Sequence, residues 1–394
     1  MRILHTADWH LGRTLEGRSR LEEQAQFLDE LAEIVEKEKI DVVLMAGDAF
    51  DTVNPPAAAE QLFYESLSRL SDKGNRPVMV ISGNHDSPDR LAAATPLARE
   101  QEITLIGLPT TNIHSIHIPT TGELLEVAAL PYPSESRLKE LLSAENDEMA
   151  IRNSYDQRIQ GIFQAMSSQF SPNAVHVAMS HIYVAGGSST DSERPIEVGG
   201  AYTVAATSLP EAAQYVALGH LHRPQNIKRA HTTARYSGSP LAYSFSESGY
   251  TKSVTIVDAK PHAPVELTEV YLTSGKPLVR WKAKNGLTEV YNWIDEGRDK
   301  QAWIDLEVHL KDALSIEEIH RLRKLHSGFV HIRPVFEEEE EHETSAAIQN
   351  LPIDELFKRF YGRQTGGAQP DDELIQLFLS LVHEEASTGE EEEA

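Results

Sequence analysis

The run Pro77-Val-Met-Val-Ile-Ser82 passes directly into Gly83-Asn84-His85-Asp86, and no other stretch constrains the fold as much. Four apolar residues between Pro and Gly read as a short buried strand. The turn-forming tetrapeptide after it carries an amide, an imidazole and a carboxylate. A buried strand is a rigid platform, so a loop at its end holds polar groups at fixed positions. Taken alone, such a loop is only a turn, and a lone strand-end His is more often a hydrogen-bonded core or surface residue than a ligand. The same pattern, however, recurs along the chain.

Met1 to Thr6 reads as a first strand, with Asp8 and His10 just past it. A spacing of two points both side chains to one face of an extended segment. A basic loop with Arg13, Arg18 and Arg20 follows. Leu21, Ala25, Leu28, Ala32 and Val35 then mark a helix from Leu21 to Lys39. Val42 to Ala46 is a second strand, ending in Gly47-Asp48 and, three residues on, Asp51. A helix is expected from Ala57 to Lys73, before the Val78 to Ile81 strand. Strand–helix–strand–helix–strand predicts a parallel sheet with helices on its faces, and sites in such sheets gather outside the carboxyl ends of the strands.

Farther on, Leu124 to Leu130, Ala174 to Met179 and Tyr215 to Leu218 read as strands, and Tyr155 to Phe170 as a helix. His181 sits just past one strand end. Gly219-His220-Leu221-His222 sits past another, again with two imidazoles two apart. Strands are also expected at Ser253 to Asp258 and Val265 to Leu272. The expected architecture is a four-layer α/β/β/α sandwich with the site along one edge. His5 and His176 lie inside apolar runs and are assigned to the core.

Pooled, the strand-end residues are Asp8, His10, Asp48, Asn84, His181, His220 and His222. Mixed oxygen and imidazole donors suit Mn²⁺, Fe²⁺ or Zn²⁺; Mg²⁺ and Ca²⁺ prefer more oxygen. Seven side chains are too many for one ion and fit two if a carboxylate bridges. Two divalent ions over two carboxylates leave a cationic site able to hold a phosphate. A two-metal clamp lowers the pKa of bound water and stabilises in-line displacement at phosphorus. His85 is left over as a group to meet the phosphate or protonate the departing oxygen. Asp51 is the expected orienting partner for it.

The formal net charge of −25 has the wrong sign for an enzyme acting on nucleic acid. Residues 337–394 account for much of it, with 17 acidic and 3 basic residues. Charge balance governs solubility and steering, not site chemistry. Weak non-specific DNA binding by this chain alone is expected. Cys is absent, which excludes disulfides and thiolate metal sites and suits a reducing cytoplasm. No apolar run is long enough to cross a membrane, and the N-terminus becomes polar too soon for a signal peptide. No Gly-x-x-x-x-Gly-Lys-Ser/Thr loop occurs, so ATP control would have to come from another subunit.

Asp8-Trp-His10, Gly47-Asp48, Gly83-Asn-His-Asp86, His181 and Gly219-His-x-His222 resemble the motifs of calcineurin-like metallophosphoesterases. Asp8-Trp-His-Leu-Gly12, Gly17-Arg-Ser-Arg20, Gly186 to Arg194 and Tyr236-Ser-Gly-Ser-Pro240 narrow the resemblance. They are similar to a branch of bacterial nuclease subunits that work with a coiled-coil ATPase. The resemblance implies a manganese-dependent DNA nuclease, 3′→5′ exonucleolytic on duplex ends and endonucleolytic on single strands or hairpins. It implies one ion on Asp8, His10, Asp48 and His222, and another on Asp48, Asn84, His181 and His220. Asp48 would bridge, and His85 would be the catalytic acid or phosphate-orienting group. Where archaeal and eukaryotic relatives often carry His, this chain has Asp51, as in the phosphatase branch.

The expected domains are a nuclease domain over 1–272, a small α/β capping domain over 273–336, an acidic linker over 337–350, helices over 351–386 and a disordered tail over 387–394. In the capping block, strands at Pro277 to Lys284 and Trp303 to Leu310 precede a helix opened by the capping box Ser315-Ile-Glu-Glu318, then a strand at Phe329 to Val335. Ile353, Leu356, Phe357, Phe360 and Tyr361, and likewise Leu374, Leu377, Phe378, Leu381 and Val382, mark two amphipathic helices. Two short helices cannot bury both apolar faces alone, so they fold back or bind a partner. The resemblance implies that they grip the ATPase coiled coil, within a heterotetramer containing a homodimer of this chain. Two other functions remain open: a small-molecule phosphodiesterase or phosphatase, and a non-catalytic scaffold.

Overall fold

The computed structural model describes residues 1–144, 154–193, 202–336, 352–365 and 368–389, in two compact units, Met1–Leu278 and Val279–Ala394. The first unit holds two six-stranded sheets. One has the order Glu266–Tyr271, Ser253–Asp258, Arg2–Thr6, Val42–Met45, Val78–Ile81, Ile103–Ile106. Arg2–Thr6 runs parallel to Val42–Met45, with Thr6 opposite Met45, and antiparallel to Ser253–Asp258. Val42–Met45 is in turn parallel to Val78–Ile81. This register brings three of the expected strand ends to one edge. The other sheet has the order Gln225–Asn226, Thr233–Tyr236, Tyr215–Gly219, Val175–His181, Leu124–Leu130, His114–His117. There Gly219 lies opposite His181.

Alternation along the strands builds the layers. Ile3, Val42, Leu44, Met79 and Ile81 point one way and share a buried core with Leu125, Val127, Val175, Val177, Tyr215 and Ala217 of the second sheet. Their neighbours Leu4, Val43, Met45 and Val80 point the other way, against Phe27, Leu31 and Val35 of helix Leu21–Lys37 and Phe63 and Leu67 of helix Ala57–Leu70. On the far side, Ala128, Ala178, Val216 and Leu218 meet Ile159, Ile162, Phe163 and Met166 of helix Tyr155–Ser167. The result is the α/β/β/α sandwich. Val42–Met45 and Val78–Ile81, buried on both faces, carry no polar residue, which is why they read as continuous apolar runs. Each fully buried Leu, Ile or Phe contributes about 1.5–3 kcal/mol.

Some expected bounds shift. The second helix ends at Leu70 rather than Lys73, because Lys73 adopts a left-handed backbone with φ 56°. Strands Ile103–Ile106 and His114–His117 and helix Glu135–Ala144 were not anticipated; they are short or only partly apolar. His176 is half-buried, stacked on Phe170 with ring centroids 4.4 Å apart, rather than in the core.

His5 is buried, with Nδ1 2.8 Å from the Tyr215 hydroxyl. Burial, assisted by the charge on Arg235, pushes its pKa down to about 3. The unfolded chain protonates this ring near its ordinary value of 6.5 while the folded chain keeps it neutral. His5 therefore removes stability as pH falls from 6.5 towards 3, at about 1.4 kcal/mol per pH unit. Denaturant titrations at about pH 7.5 and about pH 5, on either side of the unfolded value, should show a shallower acid loss for His5→Gln than for wild type. Equal slopes would exclude this contribution.

In the second unit, strands Leu278–Ala283, Trp303–Leu310 and Phe329–Phe336 form a sheet in that order, the last two parallel. Helices Leu287–Asp295 and Ile316–Leu325 complete it, around Trp281, Val290, Ile304, Leu306, Leu322 and Phe329. The expected strand–strand–helix–strand order is thus corrected to strand–helix–strand–helix–strand. Leu287, Val290, Tyr291 and Ile294 carry the helical spacing of the missed element. The Ser315 capping box is present, its hydroxyl accepting from Glu318 N at 3.2 Å.

Helices Ile353–Thr365 and Asp372–Gly389 pack through stacked Phe357 and Phe378, 4.1 Å between centroids. Asp371 accepts from Leu374 N at 2.8 Å and caps the second helix. Ile353, Leu356, Phe360, Leu377 and Leu381 remain exposed. The expected linker over 337–350 and residues 390–394 of the expected tail lie outside the described residues, while the start of that tail is corrected: the helix runs on to Gly389. Among the described residues no helix is long and apolar enough to cross a membrane.

Candidate metal centre

Trp9 fixes the first loop. Its indole is fully buried edge-on against Phe27 and Phe63, with Nε1 donating to Thr6 Oγ1 at 2.9 Å. Asp8 N donates to Gly47 O and His10 N to Asp48 O, both at 3.0 Å, so the first two loops are stitched together. Asp86 binds the third: its carboxylate accepts from Gly83 N at 2.8 Å, Phe50 N at 3.0 Å and Ala49 N at 3.2 Å. Burial, with the charge of Asp48, pushes the Asp86 carboxyl up to about 6.

The loops pass very close to one another. A Cβ on Gly83 would sit 2.0 Å from Asp48 Oδ1, and one on Gly219 would sit 1.9 Å from Ala46 O. Glycine at both positions is a packing requirement. Asp8, His10, Asp48 and His220 all have positive φ, at 57°, 46°, 52° and 105°. Non-glycine residues held there cost about 1–3 kcal/mol each, a strain that concentrates at functional sites.

The structure brings together all seven expected donors, and all but Asn84 are buried. His10 Nε2 and His222 Nε2 are 3.0 Å apart. Asn84 Oδ1 is 2.9 Å from His181 Nε2 and 3.3 Å from His220 Nδ1. Asp48 Oδ2 lies between the two groups, 3.3 Å from His181 Nε2 and 3.6 Å from His10 Nε2. Its other oxygen accepts from His85 N at 2.9 Å. Asp8 accepts from His220 N at 2.9 Å.

Hydrogen bonding fixes two tautomers. His181 Nδ1 donates to Ala46 O at 2.9 Å, so in the neutral ring Nε2 presents a lone pair to the oxygens of Asn84 and Asp48. His222 Nδ1 lies 2.6 Å from Ser192 Oγ, whose own hydrogen goes to Glu247 Oε1 at 2.6 Å. The lone pair of His222 therefore also faces inward, towards His10. At His181 acceptor faces acceptor, and buried His10 Nδ1 and Asn84 Nδ2 lack hydrogen-bond partners. Burial opposes charge on His181, yet Asp48 and Asp8 outweigh it and push its pKa up to about 9. Burial pushes Asp8 up to about 7. A proton on His181 relieves only part of this crowding. Divalent cations between the inward-facing lone pairs relieve all of it, so the residues fit a metal centre.

His85 is held differently from the expectation. Its Nδ1 donates to the backbone carbonyl of Asp51 at 2.7 Å, whereas the Asp51 carboxylate is 4.0 Å away. That carboxylate is instead 3.6 Å from His10 Nδ1 and 3.5 Å from the Arg13 guanidinium. The expected side-chain role of Asp51 is corrected accordingly, because a strand-end loop offers its main chain as readily as its side chains. Asp51→Asn should lower activity only about 10-fold, through a looser His10, rather than the roughly 10²–10⁴-fold of a lost general acid. Steady-state kinetics of this variant beside His85→Ala decides between them.

Sequence reasoning missed the groups behind the donors. Glu193 accepts from His222 N at 2.8 Å. Glu247 joins Ser192 to the Lys252 ammonium. Burial would raise the Glu247 pKa, but Lys252 and His222 outweigh it and hold it well below the usual carboxylate range. The Ser244-x-x-Glu247 capping pattern was a signal for Glu247, and Ser192 and Glu193 lie in the Gly186 to Arg194 stretch that carried the resemblance. Arg20, expected in a basic loop, is buried and bonded through Nε and Nη2 to Glu23 at 2.6 and 2.8 Å.

Parallel strands ending in this set of carboxylates and imidazoles define a calcineurin-like phosphoesterase, and the chain belongs to that family, whose model matches residues 1–224. A second model, the type 5 capsule protein repressor C-terminal domain characteristic of SbcD, matches residues 274–365. Over 394 residues, 100% of both chains, it is 66% identical to the SbcD subunit of the nuclease SbcCD from Bacillus subtilis (strain 168), which sets it in the SbcD family. Among solved structures, GAP50, the anchor in the inner membrane complex of Plasmodium, is 13% identical with a TM-score of 0.42, covering 69% of this chain and 84% of its own. TT1561 of Thermus thermophilus is 14% identical with a TM-score of 0.34, covering 68% and 98%.

Proposed function

We propose that the chain is a two-metal DNA nuclease subunit that hydrolyses phosphodiester bonds with Mn²⁺. In this proposal Asp8, His10, Asp48 and His222 hold one ion, and Asp48, Asn84, His181 and His220 the other. The position of Asp48 Oδ2 carries it: one oxygen lies 3.6 Å from His10 Nε2 and 3.3 Å from His181 Nε2, within reach of both donor groups. When bound, the ions supply positive charge that polarises the phosphate and acidifies the attacking water.

The chain's own residues do the rest. Asp8, by accepting from His220 N, locks the loop that carries both late imidazoles. The Ala46 and Ser192 bonds keep His181 and His222 turned inward. His85, tethered through Nδ1, keeps Nε2 for the departing oxygen. With Nδ1–H on the Asp51 carbonyl, the ring acts as an imidazolium: as the phosphorus–oxygen bond breaks, that oxygen takes the second proton from Nε2 and leaves the neutral ring. The polarity is 3′→5′ on duplex ends, with endonuclease cleavage of single strands and hairpins.

Residues 273–336 act as a capping domain, and 351–386 bind the coiled coil of an SbcC-like ATPase. Support for the second assignment is the exposed apolar set Ile353, Leu356, Phe360, Leu377 and Leu381. The assembly is a heterotetramer containing a homodimer of this chain. It works in the cytoplasm on DNA ends in repair, recombination and replication. The test is degradation of an end-labelled duplex with Mn²⁺, Mg²⁺ or EDTA, with and without the ATPase. Cleavage with Mn²⁺ that EDTA abolishes is expected. Turnover of a small phosphodiester with no DNA cleavage under either condition would instead favour a small-molecule phosphodiesterase.

A further inference from the structure

We infer that Ser192 is a positioning residue whose hydroxyl sets the tautomer of His222 and so presents Nε2 to the metal centre. This rests on His222 being a metal ligand, as proposed above. A buried chain of bonds runs away from the ring. His222 Nδ1 is 2.6 Å from Ser192 Oγ, and Ser192 Oγ is 2.6 Å from Glu247 Oε1. The same carboxylate oxygen accepts from Tyr243 N at 2.9 Å and Ser244 N at 3.1 Å. Its other oxygen takes the Lys252 ammonium, which also donates to Ser239 Oγ and His222 O, each at 2.9 Å. Ser192, Ser239, Glu247 and Lys252 are all buried.

The direction of the chain is not free. Thr190 Oγ1, 2.9 Å from Ser192 Oγ, gives its own hydrogen to Glu193 at 2.6 Å, and an ionised carboxylate only accepts, so the 2.6 Å contact with Glu247 takes the single hydrogen of Ser192. Its oxygen can then only accept from His222, which puts the proton on Nδ1 and the lone pair on Nε2. Lys252 closes the loop by holding both the carboxylate and the main chain of His222. A ligating His commonly donates its outer N–H directly to a carboxylate or carbonyl. Here a serine is inserted, so the hydroxyl alone sets the polarity of the ring. The next residue, Glu193, also holds the main chain of His222.

The test is Mn²⁺ binding to the full-length chain, by calorimetry and by the electron paramagnetic resonance of free Mn²⁺. Ser192→Ala should weaken one of two sites about 10- to 100-fold and leave the other unchanged. Ser192→Thr, which keeps the hydroxyl, should bind both ions as wild type does. Nitrogen NMR of metal-free wild type should find the His222 proton on Nδ1, a readout that needs no variant to fold. Unchanged affinity in Ser192→Ala, an equal loss in Ser192→Thr, or a proton on Nε2 would each overturn the inference. A wild-type chain that binds no Mn²⁺ would overturn the metal centre itself. Two ions bound equally well by wild type and Ser192→Ala would overturn only the role of Ser192.

Discussion

Asp48→Asn is expected to lower DNA hydrolysis by at least about 10³-fold, the upper end of what one preorganised electrostatic contact supplies. The change is nearly isosteric, and Asn can still accept from His85 N, so the loop should keep its shape. The replaced oxygen is the one that faces both His10 Nε2 and His181 Nε2. An amide there turns donors towards two nitrogens whose lone pairs the proposed ions need, and it removes the negative charge that those ions would share. Calorimetry should find two Mn²⁺ per wild-type chain and at most one per variant. Two ions bound, with hydrolysis within about tenfold of wild type, would exclude Asp48 as a shared ligand.

His85→Ala should reduce kcat about 10²–10⁴-fold while both ions and DNA still bind. His85 reaches the centre through its ring, 4.8 Å from that of His10, but its Nδ1 is spent on the Asp51 carbonyl. A group so tethered can move a proton at Nε2 without being a ligand. Loss of catalysis with loss of metal would mean that His85 ligates. Unchanged kcat would remove it from the mechanism. Substrates with an activated leaving group, which need no proton, should recover much of the lost rate in His85→Ala and none in Asp48→Asn.

The donors were legible because each sits just past an apolar run, where strand period and turn chemistry announce a loop at fixed height. Asp8, His10, His220 and His222 were readable as spaced pairs. Their backbone twists were not: Asp8, His10 and His220 hold positive φ, and Asp and His tolerate that conformation without advertising it. The α/β/β/α layering followed from runs buried on both faces. Strand order did not, because the antiparallel pairing of Ser253–Asp258 with Arg2–Thr6 leaves no local trace. The His85 tether was invisible for a different reason: it is a main-chain oxygen, and any residue at position 51 supplies one. Ser192, Glu247 and Lys252 are scattered polar residues until folding buries them together.

The antiparallel seam between Arg2–Thr6 and Ser253–Asp258 also sets a clock on synthesis. At about 5–20 residues per second, roughly 10–40 s separate the addition of Asp8 from that of His222. The first strand cannot take its final central place until Ser253–Asp258 has left the ribosome. Lys252, which anchors His222, is made immediately before that strand. A growing chain therefore carries both carboxylates and the first imidazole before the late imidazoles have been made. For a nuclease subunit, completion of the sandwich is thus the event that brings the last imidazoles to the site.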